Sequence, residues 1–253
     1  MAAGAWLRLH GGEDGGRPVL IGTPARALAL SLVAGLAVAN LVQLVLTLGG
    51  THAFGIDYGI YMDAARRWMA GGPWFLPAQL AGPYTIAIPD VLYPPTLLWL
   101  LVPFTFLPAL TWWLAPAAIV GIALWRLRPS FWAGVAMLAV LDWPISQLAI
   151  AKGNPVMWIA ALTLLGVAYG WGGAFVLLKP SLFPFVLLGI RDRRWWLMVG
   201  LLALLSLPLL PTMLQYPAVL LDSRGGGLLY SVLEGPLLLA PLVAVLGKAH
   251  PVE

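Results

Sequence analysis

The chain has 253 residues, of which 61% are apolar and only 9% are charged, and its formal net charge is +4. Soluble domains carry roughly 25% charged residues, so this composition excludes an ordinary soluble domain and favours an all-α integral membrane protein. Cysteine is absent, which excludes disulfides, thiolate metal sites and a cysteine nucleophile. The modest positive charge is more typical of orientation in a membrane with anionic headgroups than of nucleic-acid binding.

Apolar runs recur along the chain, and a run of about 20 residues can cross a bilayer as a helix. Residues 1–26 predict a cytoplasmic tail and residues 248–253 a C-terminal tail. Between them, residues 27–247 predict one polytopic domain of about eight transmembrane helices, the first of them an uncleaved signal anchor. A polar break is expected over 146–155. The predicted spans cover about 27–48, 92–108, 110–125, 130–143, 156–169, 173–190, 195–211 and 228–247.

Arginine and lysine in short loops favour the cytoplasmic side of a membrane. Placing the N-terminus and the cluster Arg191–Arg194 inside predicts that loops 49–90 and 212–227 lie outside. Arg126 and Arg128 then also lie outside. Either these two arginines hold an anionic ligand there, or spans two to four are miscounted.

The first outer loop contains an amphipathic helix over residues 57–70. At 100° per residue its apolar side chains form one broad face, and its charged residues form a narrow stripe opposite. We expect the apolar face of this helix to lie in lipid at the membrane interface. Asp63 and Arg67 are four residues apart and can pair. Gly71-Gly72-Pro73 should end the helix.

Asp57, at the start of this helix, has two interpretations. It can be an N-cap that binds free backbone N–H groups, or a general base that takes a proton from an attacking hydroxyl. Arg66 and Arg67 can contact solvent and headgroups, or they can bind phosphate oxygens. These alternatives stay open on sequence alone.

Lys179 and Glu234 fall inside predicted spans, where charged side chains usually have a purpose. Lys179 can be a structural feature beside Pro180 or can balance a phosphate or a partner acid, and Glu234 could pair with it. Asp142 and Lys152 flank the polar break and by default occupy helix ends. The histidines and acids show no metal-ligand spacing, so we expect no metal or other cofactor.

Five short motifs occur in order within residues 27–200. They are Asp57-Tyr58-x-x-Tyr61 with Ala64-Ala65-Arg66-x-Trp68-x-Ala70-Gly71-Gly72, Tyr93-Pro94-Pro95, Gly153-Asn154, Leu178-Lys179-Pro180 and Arg193-Arg194-Trp195. As an ordered set they resemble glycosyltransferase family 87, whose members are mannosyltransferase-like membrane enzymes of the GT-C fold that use polyprenyl-phosphate sugars. The chain would be a short or minimal member.

This resemblance implies a GT-C-like fold in a bacterial plasma membrane, with the active site toward the outer face. It implies inverting transfer of a hexose such as mannose from a polyprenyl-phosphate carrier to a hydroxyl of a lipid or glycan acceptor. Asp57 would be the general base. The candidates for binding the donor phosphate are Arg66, Arg67, Lys179, Arg126, Arg128 and Arg224. The candidates for lining the substrate site are Tyr58, Tyr61, Asp90, Tyr93 and Asn154.

Two functions of other classes remain open. A transporter of lipid carriers or solutes would use Lys179 and Glu234 as an intramembrane pair, with proline-broken spans as gates. A non-catalytic membrane subunit of a cell-envelope synthase would work with a partner subunit and would tolerate replacement of Asp57.

Overall fold

The computed structural model describes residues 23–49, 54–224 and 235–246. It is 74% helix and 2% strand, which confirms the all-α class. Two short strands, β1 (Tyr84–Thr85) and β2 (Ser223–Arg224), form a parallel pair. The α-helices are α1 (Thr23–Gly49), α2 (Ile56–Met69), α3 (Pro77–Leu80), α4 (Leu98–Phe104), α5 (Thr111–Leu127), α6 (Phe131–Leu141), α7 (Pro144–Lys152), α8 (Val156–Tyr169), α9 (Arg193–Ser206), α10 (Leu210–Met213), α11 (Tyr216–Asp222) and α12 (Gly235–Leu246).

Two helical segments are long and apolar enough to cross a membrane, Pro24–Gln43 within α1 and Arg193–Met213, which runs from α9 through α10. Helices α6 and α7 give a third candidate if they count as one broken span, with a 65° bend between them. The described residues therefore carry two or three candidate spans, and the prediction of about eight simple spans is not confirmed. Other apolar helices, over Pro95–Phe104, Thr111–Leu127 and Val156–Tyr169, fall short of the about 20 residues that a full crossing takes.

Proline and glycine account for much of this shortness. The predicted span over 173–190 is wrong, because the segment forms three 3₁₀ turns, Ala174–Leu178, Pro180–Leu182 and Phe185–Leu187. A proline lacks the N–H that a continuing helix needs. A Cβ at Gly172 would overlap the carbonyl oxygen of residue 188, so glycine lets these turns pack closely.

The predicted break over 146–155 is also wrong in large part, because α7 occupies Pro144–Lys152. Pro144 stands in the first turn of α7, where the missing N–H has no helical partner to lose. Gly153, with φ of 73°, ends the helix in the left-handed conformation. By contrast, the predicted bounds 156–169 coincide with α8.

Helix α2 ends within one residue of its predicted bounds, and Gly71 follows with φ of 83°. The expectation that its apolar face lies in lipid is wrong. Tyr61, Met62, Ala64 and Ala65 are at most 7% exposed and belong to the main core of the protein. Because α4 and α7 pack against α2, protein covers the face that the pattern assigned to lipid.

The two predicted outer loops meet in space. Strand β1 from the first loop pairs with β2 from the second, with Tyr84 opposite Ser223. The Tyr84 hydroxyl donates to the Val219 carbonyl over 3.0 Å, and the rings of Phe75 and Tyr216 stack 6.1 Å apart. The two segments therefore lie beside each other, and the prediction that both loops lie outside the membrane stays a prediction.

Candidate functional site

Asp57 is the second residue of α2 and is half-buried. Gly55 occupies the N-cap position with φ of 70°, and no side chain caps the helix. The Gly55 N–H donates to the carbonyl of Ala151 in α7 over 3.0 Å. The start of α2 is therefore docked on the end of α7, and the capping interpretation of Asp57 is wrong.

The turn between α7 and α8 brings Asn154 to Asp57. The Asn154 Nδ2 donates to Asp57 Oδ2 over 2.7 Å. The Asn154 Oδ1 accepts from the Val156 N–H over 3.0 Å, a local turn that also begins α8. Asn154 thus both starts a helix and binds the carboxylate.

Gly153 allows this approach. Its backbone is left-handed, and a Cβ there would lie 2.8 Å from the Tyr58 Cβ and 2.9 Å from the Trp113 ring. Contacts below 3.0 Å essentially never occur for a real Cβ. The Gly153 carbonyl also accepts from the Trp112 indole N–H over 2.8 Å. The absence of a Cβ at Gly153 therefore lets α2 and α5 pack closely on the turn between α7 and α8.

Two further motif residues extend the cluster from distant parts of the chain. The Tyr93 hydroxyl donates to Asn154 Oδ1 over 2.7 Å, and Lys179 Nζ donates to the Tyr93 hydroxyl oxygen over 3.1 Å. Tyr93 is 2% exposed and Lys179 is 8% exposed. The structure therefore joins four predicted residues, Asp57, Tyr93, Asn154 and Lys179, in one buried network.

Burial raises the pKa of the Asp57 carboxyl above its ordinary value, because a poorly solvated carboxylate is less stable than the neutral acid. The hydrogen bond from Asn154 and the charges of Lys152 and Lys179 oppose this effect and lower the pKa. The net direction is upward, so the Asp57 carboxylate is a stronger base than a solvated aspartate.

The other predicted lining residues have identifiable contacts. The Tyr61 ring meets the Tyr93 ring edge-on at 5.2 Å. The Tyr58 ring packs against Trp113 at 5.4 Å. Asp90 instead accepts from the Ala87 N–H over 2.8 Å, which is the loop-capping role. Tyr61 and Tyr58 thus form the aromatic wall around the network, and Asp90 stabilises a turn.

The predicted arginines make other contacts, and none bonds to the network within the described residues. Arg66 pairs with Asp63 over 3.0 Å at an exposed position. Arg67 does not pair with Asp63 as predicted, since it donates to the carbonyls of Pro73 and Trp74. The Arg126 guanidinium lies 5.9 Å from the centre of the Tyr169 ring. Arg128 is exposed at the end of α5 and has a φ of 45°. Arg224 is exposed on β2.

Sequence reasoning assigned only a helix-end role to Lys152, whose charge acts on Asp57. It also missed Trp112 and Trp113, which hold the α7–α8 turn through their indole N–H groups. Lys152 stands directly before Gly153-Asn154, so its position beside a motif was the available signal. The tryptophans carried no such signal, because aromatic residues at span ends are common in membrane proteins.

An apolar cavity of about 710 Å³ lies behind this turn, between α5, α6, α8 and α12. Trp113, Ile150 and Met157 line the end of the cavity next to Gly153. Its walls are almost entirely hydrocarbon and aromatic, so it suits an apolar chain better than a sugar.

Among the residues that the structure describes, no group of three or more His, Cys, Asp or Glu could hold a metal ion. Glu234, the predicted partner of Lys179, lies outside the described residues.

Comparison with known proteins adds no relative from which a role could be transferred. No family model, curated protein or solved structure matches this chain. The functional argument therefore depends on the chain's own geometry and on the motif resemblance stated above.

Proposed function

We propose that the chain is a membrane glycosyltransferase that moves a hexose such as mannose from a polyprenyl-phosphate carrier to a hydroxyl of a lipid or glycan acceptor. The observation that carries the proposal is the network that joins Asp57, Asn154, Tyr93 and Lys179. Motifs more than 100 residues apart in sequence meet in it. Buried polar groups with this degree of organisation and a perturbed carboxyl are typical of functional sites.

Asp57 is the proposed general base. Asn154 occupies Oδ2, and Oδ1 accepts no hydrogen bond from the described residues, so Oδ1 is the oxygen offered to an acceptor hydroxyl. The carboxylate takes the hydroxyl proton, and the acceptor oxygen bonds to the anomeric carbon. The bond from that carbon to the phosphate oxygen breaks with inversion, and polyprenyl phosphate leaves with the electron pair. Positioned bases of this kind contribute about 10²- to 10⁴-fold in rate.

Positive charge around Asp57 supports an anionic donor. Lys152 and Lys179 both act on the carboxyl and lower its pKa. A phosphate leaving group gains negative charge in the transition state, so nearby ammonium groups stabilise it. Of the phosphate-binding residues predicted from sequence, Lys179 is therefore the one best supported by its position.

The apolar cavity supports a lipid-linked donor. It is open enough to take hydrocarbon, and its lining ends at Trp113 and Ile150. The Trp113 indole donates to the Ile150 carbonyl over 2.7 Å, and its ring packs on Tyr58, the neighbour of Asp57. A carrier tail in this cavity would bring its phosphate toward the base.

The test is transfer of radiolabelled mannose and glucose from polyprenyl phosphate in membranes that carry wild-type protein, Asp57→Asn or Asp142→Asn. Asp142 is also bonded to a side-chain amide but lies outside the network, so it is the matched control. We expect transfer by wild type and Asp142→Asn and a loss of about 10³-fold in Asp57→Asn. Equal rates in the two variants would remove Asp57 as base. No transfer by wild type would overturn the proposal for these donors and favour the subunit or transporter functions.

A further inference from the structure

The network beside Asp57 is a continuous chain of three side-chain hydrogen bonds. Lys179 donates to Tyr93 over 3.1 Å, Tyr93 donates to Asn154 over 2.7 Å, and Asn154 donates to Asp57 over 2.7 Å. The chain starts at a cation and ends at a carboxylate. Asn154 and Tyr93 connect two charges that belong to different parts of the fold.

Among the described residues, the donor and acceptor groups account for the direction of each bond. An ammonium group has no acceptor, so the Tyr93 oxygen must accept from Lys179 and its proton is left to donate. A backbone N–H can only donate, and the Val156 N–H points at Asn154 Oδ1. The oxygen of the Asn154 amide is therefore fixed on the side of Tyr93 and Val156. Its NH₂ group must then face Asp57.

The surroundings hold Tyr93 and Lys179 in place. The Tyr93 carbonyl accepts from the buried Trp74 indole N–H over 3.1 Å, and the Tyr61 ring packs edge-on against its phenol. Lys179 follows one 3₁₀ turn and precedes the next, and its own N–H donates to the Val176 carbonyl over 2.8 Å. Both side chains are more than nine-tenths buried, so few rotamers are open to them.

We propose that Tyr93 is a positioning residue whose hydroxyl fixes the Asn154 amide and, through it, the orientation and charge state of the Asp57 carboxylate. The proposal rests on Asp57 being the base of the proposed transferase. The sequence predicts that Tyr93 lines the substrate site. In this proposal Tyr93 instead acts on Asp57 indirectly, through its hydrogen bond to Asn154. Lys179 is the first donor in this chain of hydrogen bonds. Its positive charge polarises the Tyr93 hydroxyl and, through it, the Asn154 amide, which strengthens each donor in turn.

Loss of the Tyr93 hydroxyl removes one of the two donors to Asn154 Oδ1 and leaves the Val156 N–H as the other, so the amide is held less firmly and its bond to Asp57 is less well aligned. A carboxylate that loses a well-aligned donor is harder to ionise. Among the described residues, the charged groups that act on Asp57 are Lys152 from α7 and Lys179, and the Tyr93→Phe substitution keeps both. The acid limb of any Asp57-dependent process therefore moves to higher pH.

The experiment compares Tyr93→Phe with Tyr84→Phe in the purified full chain. Like the Tyr93 hydroxyl, the Tyr84 hydroxyl bonds to a side-chain amide, in this case by accepting from Gln79 Nε2. It donates to the Val219 carbonyl and lies in the β1–β2 region. The first readout is the infrared carboxylic-acid band of Asp57, assigned by its absence in Asp57→Asn and followed against pH. We expect its midpoint to rise by about half a unit in Tyr93→Phe and to stay unchanged in Tyr84→Phe.

The second readout is the pH profile of sugar transfer. We expect Tyr93→Phe to lower kcat by about tenfold with KM nearly unchanged, and to move the acid limb in the same direction as the infrared midpoint. An unshifted infrared midpoint in folded Tyr93→Phe overturns the positioning role, whatever the rate. A shifted midpoint without transfer by wild type supports the positioning role, while the transferase proposal fails.

A second variant covers the case in which Tyr93→Phe does not fold. Lys179→Gln keeps a donor toward Tyr93 but removes the charge at the far end of the chain. We expect its infrared midpoint to move in the same direction. A midpoint equal to that of wild type would overturn the proposal.

Discussion

Asp57 and Asp142 are two aspartates that each bind the same kind of group, a side-chain amide, but lie in different surroundings. Each accepts a 2.7 Å hydrogen bond from a side-chain amide, Asn154 for Asp57 and Gln147 for Asp142. Behind Asn154 the network continues to a tyrosine and a lysine. At Asp142, which is only 7% exposed, the second carboxyl oxygen has no partner among the described residues.

The difference shows what turns a buried carboxylate into a candidate site. Asp142 lies at the bend between α6 and α7, and its main-chain carbonyl accepts from Asn40 of α1 over 2.5 Å. The side chains that bond to it are the neutral amides of Asn40 and Gln147, and they tie three helices together. Asp57 feels the charges of Lys152 and Lys179 and is half-buried, and its Oδ1 accepts no hydrogen bond from the described residues. Charge and access, more than burial, separate the two.

The most direct test of the difference between the two aspartates is to remove the amide side chain that binds each of them. Asn154→Ala takes a donor from Asp57, the proposed base, so we expect kcat for transfer to fall roughly 10- to 100-fold. Gln147→Ala removes the same bond at Asp142 and should change kcat by less than about threefold. Steady-state transfer assays on both variants measure this. Comparable losses in both would show that the two aspartates share one role.

A second test compares two glycines, one at the Asp57 site and one in an open part of α5. Gly153→Ala puts a Cβ against Tyr58 and Trp113 at a left-handed position, so we expect a loss of stability of about 2–4 kcal/mol. Gly121→Ala in α5 meets nothing within 4 Å and should stabilise the protein by about 0.5–1 kcal/mol. Thermal unfolding in detergent, followed by tryptophan fluorescence, compares them. A tolerated Gly153→Ala would contradict the close packing of α2 on the α7–α8 turn.

The pH dependence of stability tests the burial of Asp57. Because burial raises the pKa of Asp57 in the folded protein, its contribution to stability is full below the unfolded pKa of about 3.9 and is lost as pH rises through the folded pKa. Asp57→Asn avoids that loss, so its unfolding temperature should exceed that of wild type at neutral pH and approach it in acid.

The control for this experiment is Asp63→Asn. It removes only an exposed ion pair with Arg66, and such pairs contribute little, so the unfolding temperature should change little. An Asp57→Asn variant less stable than wild type at neutral pH would show that the hydrogen bond and the two lysines outweigh desolvation.

The smallest expected effect is at the α6–α7 bend. Asn40→Ala removes the bond from α1 to the Asp142 carbonyl, and we expect a loss of about 1 kcal/mol with transfer unchanged. Unfolding and transfer measured on one preparation check both parts. A large fall in transfer would place the bend in the mechanism.

Local patterns predicted several elements well, and their failures have physical causes. The bounds of α8 follow from an uninterrupted apolar run between Pro155 and Gly170. The apolar composition of residues 173–190 predicts a span, but composition does not account for the effect of repeated prolines on the backbone, and the segment forms 3₁₀ turns. Helix α2 was assigned to lipid because an amphipathic pattern shows that a face is buried, but not whether lipid or protein buries it.

The sequence by itself determined the membrane-like composition, most helix positions and the short motifs that bear Asp57, Tyr93, Asn154 and Lys179. Only the tertiary structure decided that these four residues meet, that the predicted arginines contact other groups, and that the charge of Lys152 acts on Asp57. The physical reason is that propensity and periodicity act over a few neighbouring residues. A hydrogen bond between residues 57 and 154 depends instead on how α2, α7 and α8 pack, and on a glycine that lets them approach.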